Sequence, residues 1–229
     1  FQAELENVFE EYNMYEDNPN THVRKELMSK LYAGHPYERD VIGLPEHLKN
    51  PRLSKLIEFY NTWYVPNNMA LIIVGDFDAE ATKPMIEETF GRLQYKELPE
   101  RPTYPKTSFA GNPKHKFKVG YYPMHVLVYD GVENTHEDQL ALHFTLSLLN
   151  NSSNTGLLDK LNMDGTVSSA IAGLTALRDQ GRIMIQTIPY YDAAQQMYES
   201  NTATEKIVMA EINRLKTGDI PDWLIQTVK

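Results

Sequence analysis

ELENVFEEYNMYEDNP, residues 4–19, is the stretch on which the reading of this chain turns. At about 100° per residue, Leu5, Val8, Phe9, Tyr12 and Tyr15 fall within one arc, and Glu6, Glu10 and Asn13 point away from it, the pattern of an amphipathic helix. Glu4 and Glu11 stand seven residues apart, roughly two turns, so they stack on one line beside Val8 and Tyr15. Carboxylates on such a half-buried line need a cation, a hydrogen-bond donor or a metal as partner. The residue before Pro19 is pushed out of the helical region, which ends the helix at Asp17-Asn18.

Downstream, Thr21 is placed to cap a second helix, HVRKELMSKLYAG, with Gly34 as its stop. A polar loop through His35-Pro36-Tyr37 follows. Pro45 suits the first turn of a third helix, and the helical pattern restarts after Asn50-Pro51 with Leu53, Leu56, Ile57 and Tyr60 on one face. MALIIVGD, residues 69–76, is a short apolar run between turn residues and predicts a buried strand. Residues 79–93 return to helix, with Met85, Ile86, Thr89 and Phe90 inward. Between residues 98 and 113 stand four prolines without apolar periodicity, read as a linker. Beyond it, Phe117, Val119 and Tyr121 alternate, and His125–Tyr129 is strand-like. Residues 137–150 predict a long helix burying Leu140, Phe144, Leu146 and Leu148. Residues 157–163 form a short helix, residues 167–174 and 181–188 two strands, and residues 192–216 a final helix. Helices and strands mix without strict βαβ alternation, which favours α+β.

The 229 residues carry a net charge of −9 and no cysteine. That charge, with no long Lys/Arg cluster, excludes a phosphate-backbone partner and hence nucleic acid. Disulfides, thiolate nucleophiles and Cys-type zinc sites are excluded too, so metal ligands can only be His, Asp or Glu. No apolar run is long enough for a membrane span. The chain opens on Phe1 within a helical pattern and reads as a piece of a longer one.

Self-contained catalytic motifs are absent: there is no His-Glu-x-x-His or His-x-x-Glu-His pair, no nucleophile elbow and no phosphate loop. His136 and His143 lie seven apart, but His136 belongs to a helix start and His143 to packing or surface, so the pair is a poor zinc site. His35, before a proline, reads as a loop-shaping hydrogen-bonder. The tyrosines and methionines read as core.

Taken together, EN-V-x-EE-x-x-MYEDNP, then LYAGHPYERDVIGLPEHL, then FYNTWYVPNNMALIIVGDFD, in this order and spacing, resemble the insulinase (pitrilysin) family of zinc metallopeptidases. In that family such a segment follows an inverted motif, His-x-x-Glu-His, whose histidines bind zinc and whose Glu is the general base; a later glutamate is the third ligand. The resemblance implies that Glu11 is that metal ligand and Glu4 the supporting carboxylate that orients a ligand histidine. It continues through LSLLNNSSNTGLLDKL and DQGRIMIQTI, which look like the family's second, non-catalytic domain. Where the half of such proteins that completes the active site carries Arg and Tyr, in a segment of the type R-E-x-G-L-A-Y, this chain has Asn162 and Ser168. The inverted motif itself is missing, and with it two zinc ligands and the base.

The expectation is therefore an α+β chain of two related α/β-sandwich domains, each an antiparallel-rich sheet with helices on one face. Residues 1–97 would be the C-terminal part of the first, catalytic-type domain, truncated at its N-terminus; residues 98–113 the linker; residues 114–229 the second domain, incomplete. The parent would be a zinc metalloendopeptidase hydrolysing peptides in a clamshell chamber, with zinc held by two upstream histidines and Glu11. This chain alone would be inactive, would hold no zinc, and would have no catalytic residue of its own. Expected partners are a peptide or small-protein substrate, the missing parts of the parent and a possible homodimer through an exposed sheet edge. The alternative is a non-catalytic scaffold or substrate-holding subunit. A bacterial relative would sit in the periplasm or cell envelope.

Overall fold

GRIMIQTI, residues 181–188, alternates side chains between two faces and forms the middle strand of a three-stranded antiparallel sheet. A computed structural model describes residues 1–109, 111, 113–118 and 122–229. In chain order its helices are α1 (Gln2–Glu16), α2 (Pro19–Leu31), α3 (Pro45–Lys49), α4 (Leu53–Trp63), α5 (Ala79–Phe90), α6 (Gln139–Ser147), α7 (Leu157–Met163), α8 (Asn201–Thr217) and α9 (Asp222–Thr227). Its strands are β1 (His125–Gly131), β2 (Ser169–Ala176), β3 (Gly181–Ile188), β4 (Tyr191–Asp192) and β5 (Met197–Tyr198), with 3₁₀ turns at Pro36–Glu38 and Pro66–Asn68. The fold class is α+β, as the sequence implies.

The chain forms two units that interleave in sequence: residues 1–18 with 39–103, and residues 19–38 with 104–229. The second unit holds the sheet, in the order β1-β3-β2. Ile183 and Ile185 of β3, Leu127 and Tyr129 of β1, and Ala170, Ala172 and Leu174 of β2 point to one face, where they meet Leu149, Leu158, Val208 and Ile212 from the helical segments. That alternation is what period-two patterning predicts for a sheet with helices on one side. Gly34, at φ +78°, follows α2, and Gly218, at φ +74°, closes α8 in a left-handed cap that non-glycine residues rarely adopt.

The outer edge of β2 is covered by side chains. Asn162 Nδ2 donates to Ala170 O at 3.0 Å, and Ala170 N donates back to Asn162 Oδ1 at 2.6 Å. Asn150 does the same one step along, donating from Nδ2 to Ala170 O and accepting from Ala172 N. Asp159 fixes Asn150 in turn, accepting from Asn150 Nδ2 and from the backbone N–H groups of Asn151 and Gly156.

Several elements differ from the sequence expectation. MALIIVGD is neither a strand nor buried: Ile72 is 81% and Val74 90% exposed, and the first unit has no strand among its described residues. A strand needs a partner for its backbone groups, and the described residues of that unit supply none. For the same reason the apolar faces of α4 and α5 are exposed, including Leu56, Ile57, Met85 and Phe90, and Val65 is the one buried hydrophobic residue described there. The sheet expected for the first domain is therefore not formed by the described residues. In the second unit Leu140 is exposed and not buried. The helix expected from residue 192 begins at Asn201 instead. Asp192 accepts from the N–H groups of Ala194 and Gln195, and Gln196 takes φ +53°, which makes a β4–β5 hairpin before Ser200 caps α8. Thr21 lies inside α2, which starts at Pro19. The alternation at Phe117, Val119 and Tyr121 falls partly outside the described residues. Within the proline-rich stretch, Thr107 is held in place, its Oγ1 bonding Leu31 O at 2.9 Å and Gln180 Oε1 at 3.0 Å.

Candidate functional site

Helix α1 carries the two carboxylates singled out by the sequence. Its 15 residues are helical throughout, so the seven-residue spacing does stack Glu4 and Glu11 on one side. Their setting differs from the half-buried line expected. No residue of α1 is fully buried; Leu5, Val8, Phe9 and Tyr12 are half-buried, and both Glu4 and Glu11 are exposed. Phe9 and Tyr12 stack with ring centroids 6.4 Å apart, and α1 packs against α3 in the same unit. An exposed carboxylate is reached by water, so neither group needs an internal partner.

Zinc, which the resemblance implies, can be tested against these residues. A zinc site draws at least three protein donors into one cluster. Among the described residues no group of three His, Asp or Glu converges to hold a metal ion. Glu11 is a single available donor, and the described residues do not by themselves fit the ion.

Three of the seven histidines have partners of another kind. His35 is 2% exposed, and its Nδ1 accepts the Tyr37 N–H at 3.2 Å, which is the loop-shaping role expected of it. His136 Nδ1 accepts the Asp138 N–H at the approach to α6. His125, on β1, faces Glu205 at 3.7 Å; burial pushes its pKa down, while the Glu205 carboxylate pulls it up and Lys114 opposes protonation.

Asn162 and Ser168, at the positions matched to the family's Arg and Tyr, are not paired into a site. The Asn162 amide is spent on Ala170, and Ser168 N donates to Ile188 O. Nearby, Asn154, Thr155, Lys160, Met163, Asp164 and Trp223 line an open depression.

The feature that the sequence reading missed is a buried polar cluster in the second unit. Arg182 of β3, 2% exposed, lies against residues 31–32 and 107–109, and Tyr37 and Asp179 bond reciprocally beside it, Tyr37 Oη to Asp179 Oδ2 at 3.3 Å and Asp179 N to Tyr37 Oη at 3.2 Å. A charged residue one position into a largely apolar strand was the available signal.

Comparison with known proteins fits this fold and these motifs. Residues 52–229 match the family model described as the peptidase M16 inactive domain. A Bacillus subtilis protein named uncharacterized zinc protease YmfH is 36% identical over 93 residues, covering 41% of this chain and 22% of that protein. Zinc protease PqqE of Helicobacter pylori is 25% identical over 240 residues, covering all of this chain and 52% of that protein. The chain thus spans about half the length of the relative it matches from end to end. Among solved structures, a protease from Helicobacter pylori superposes with a TM-score of 0.74 at 19% identity, over 99% of this chain and 55% of that one. The periplasmic protease PqqL from Escherichia coli does so with a TM-score of 0.68 at 17% identity, over 99% of this chain and 25% of that one. At such identities these structures speak to the fold alone. The family model covers most of the chain, and the chain belongs to the M16 family of peptidases, the insulinase or pitrilysin family.

Proposed function

We propose that this chain is part of a zinc-dependent metalloendopeptidase that hydrolyses peptides or small proteins. Its own contribution to the active centre is one metal ligand, the Glu11 carboxylate, and one supporting carboxylate, Glu4, placed to accept a hydrogen bond from a ligand histidine. The other donors and the general base would come from a His-x-x-Glu-His segment elsewhere in the parent polypeptide. The observation that carries this reading is the placement of Glu4 and Glu11: stacked on one side of a continuous helix, exposed, and so open to a ligand from outside the described residues. The second unit is its structural partner within a substrate-enclosing chamber, and the chain alone is inactive, since one carboxylate is not a coordination sphere. A periplasmic or envelope location accompanies this reading, supported by the periplasmic name of the PqqL neighbour.

The test is made on the parent polypeptide and on this chain. In the parent, Glu11→Gln removes bound zinc and peptide hydrolysis together, and Glu4→Gln weakens zinc binding about 10- to 100-fold. This chain alone shows neither a stoichiometric zinc site nor cleavage of an unstructured peptide. Full zinc content in the Glu11→Gln parent overturns the assignment. A second reading, a non-catalytic scaffold or substrate-holding subunit, is favoured by one observation: the Asn162 amide is consumed by the β2 edge. A parent without His-x-x-Glu-His decides for it.

A further inference from the structure

Arg182 occupies a position where a charge has no obvious place. It lies on the middle strand of the sheet, on the face opposite the helices, in register with Asp130 on one side and Thr175 on the other. Farther along that face Ile171 is 58% exposed, yet the Arg182 side chain is almost fully buried. What covers it comes from distant sequence. The two hydrogens of its Nη2 serve Thr107 O at 2.7 Å and Thr107 Oγ1 at 2.6 Å, with Leu31 O farther off at 3.4 Å, and its Nη1 donates to Asp130 Oδ1 at 2.7 Å. The guanidinium also lies over the rings of Tyr32, at 5.5 Å, and Phe109, at 5.0 Å.

We propose that residues 19–38 act as a strap: a segment that stands in sequence between the carboxylate helix α1 and the rest of the first unit, but folds with the second unit and is latched to its sheet by Arg182. The latch reaches the strap's own backbone through Thr107, whose Oγ1 lies 2.9 Å from Leu31 O and is itself held by Arg182, and the chain beyond Leu31 is held by Tyr37 to Asp179. It is incompletely satisfied. The Tyr32 hydroxyl, Gln180 Nε2 and Arg182 Nε are buried without a hydrogen-bond partner among the described residues, and His35 Nε2 stands 3.6 Å from Asp179 Oδ2. A half-paired polar network is held less firmly than an apolar core, which places the strap at the low-stability end of its unit. Only Asp17 and Asn18 separate α1 from α2.

Hydrogen exchange read by mass spectrometry on the whole chain tests this. The strap amides of Tyr32, His35 and Glu38, bonded to Met28 O, Tyr32 O and His35 O, are compared with peptides covering α6 and α8. Arg182→Met keeps the apolar stem and removes every donor; strap exchange is expected to accelerate about tenfold or more while the α6 and α8 peptides keep their wild-type rates. Thr107→Val, which removes one acceptor for Arg182 and one donor to Leu31, gives a smaller acceleration confined to the same peptides. Arg182→Lys restores charge without the fork and falls between wild type and Arg182→Met. Unchanged strap exchange in Arg182→Met overturns the proposal. So does equal acceleration of strap, α6 and α8 in both Arg182→Met and Thr107→Val, because the strap would then be no separable element.

Discussion

Replacing Asp159 with asparagine removes one oxygen and one charge, and the surrounding bonds fix what that costs. Asp159 Oδ2 accepts Asn151 N at 2.9 Å and Gly156 N at 3.0 Å, and Oδ1 accepts Asn150 Nδ2 at 2.8 Å. The oxygen of the new amide can keep the two backbone donors, but its NH2 then meets the NH2 of Asn150. Asn150 cannot flip to relieve this, because its Oδ1 accepts Ala172 N and its Nδ2 donates to Ala170 O. One charge-assisted bond is lost, two are weakened to neutral ones, and a donor faces a donor in a site where Asp159 is buried. The sum is about 2–4 kcal/mol. For a cooperative unit of this size that corresponds to a fall in Tm of roughly 5–15 °C. Thermal and urea melts followed by far-ultraviolet circular dichroism measure it, and a cycle of Asn150→Ala and Asp159→Ala singly and together should show a coupling of about 0.5–3 kcal/mol. If Asp159→Asn melts with the wild type and the cycle is additive, the network described here does not hold the β2 edge.

Leu158, at 0% exposure, stands in the centre of the second unit's core, and Leu158→Ala is expected to cost about 2–5 kcal/mol in a urea melt. His125 gives a pH signature whose sign follows from burial: its folded pKa lies below the ordinary value, so the unfolded chain takes up the proton first as the pH falls below about 6.5. Stability contributed by neutral His125 is thus present above that pH and is lost as the pH falls toward the lowered folded value. His125→Gln should flatten the urea midpoint between about pH 7 and pH 5 relative to wild type, and parallel curves for the two proteins would contradict this.

The second unit was largely legible from the chain because its elements meet their partners within it. Residues 157–163 and 181–188 form the helix and strand that their spacing predicts, and the apolar alternation of β1, β2 and β3 reports a real two-sided sheet. The first unit shows the limit of the same method. The pattern in residues 69–76 records a tendency to be buried, and burial requires a surface to pack on that the described residues of that unit do not provide. Glu4 and Glu11 were legible as a spaced pair but not in their exposure, since an arc on a helical wheel says which residues share a side and nothing about what lies opposite. The Arg182 latch could not be read from periodicity at all: it joins residues 151 positions apart in sequence, through backbone carbonyls whose donors no local pattern encodes.

Asn150 and Asn162 make the sheet of the second unit end at β2. Unpaired strand edges are templates on which other chains add, and proteins commonly blunt them with charges, prolines or bulges. Here two side-chain amides imitate the missing neighbour at Ala170 and Ala172. The β2 edge of the sheet is therefore closed by two asparagines. Exchanging both for apolar residues would unlock a growth edge, so solubility at high concentration is where their loss would first be felt.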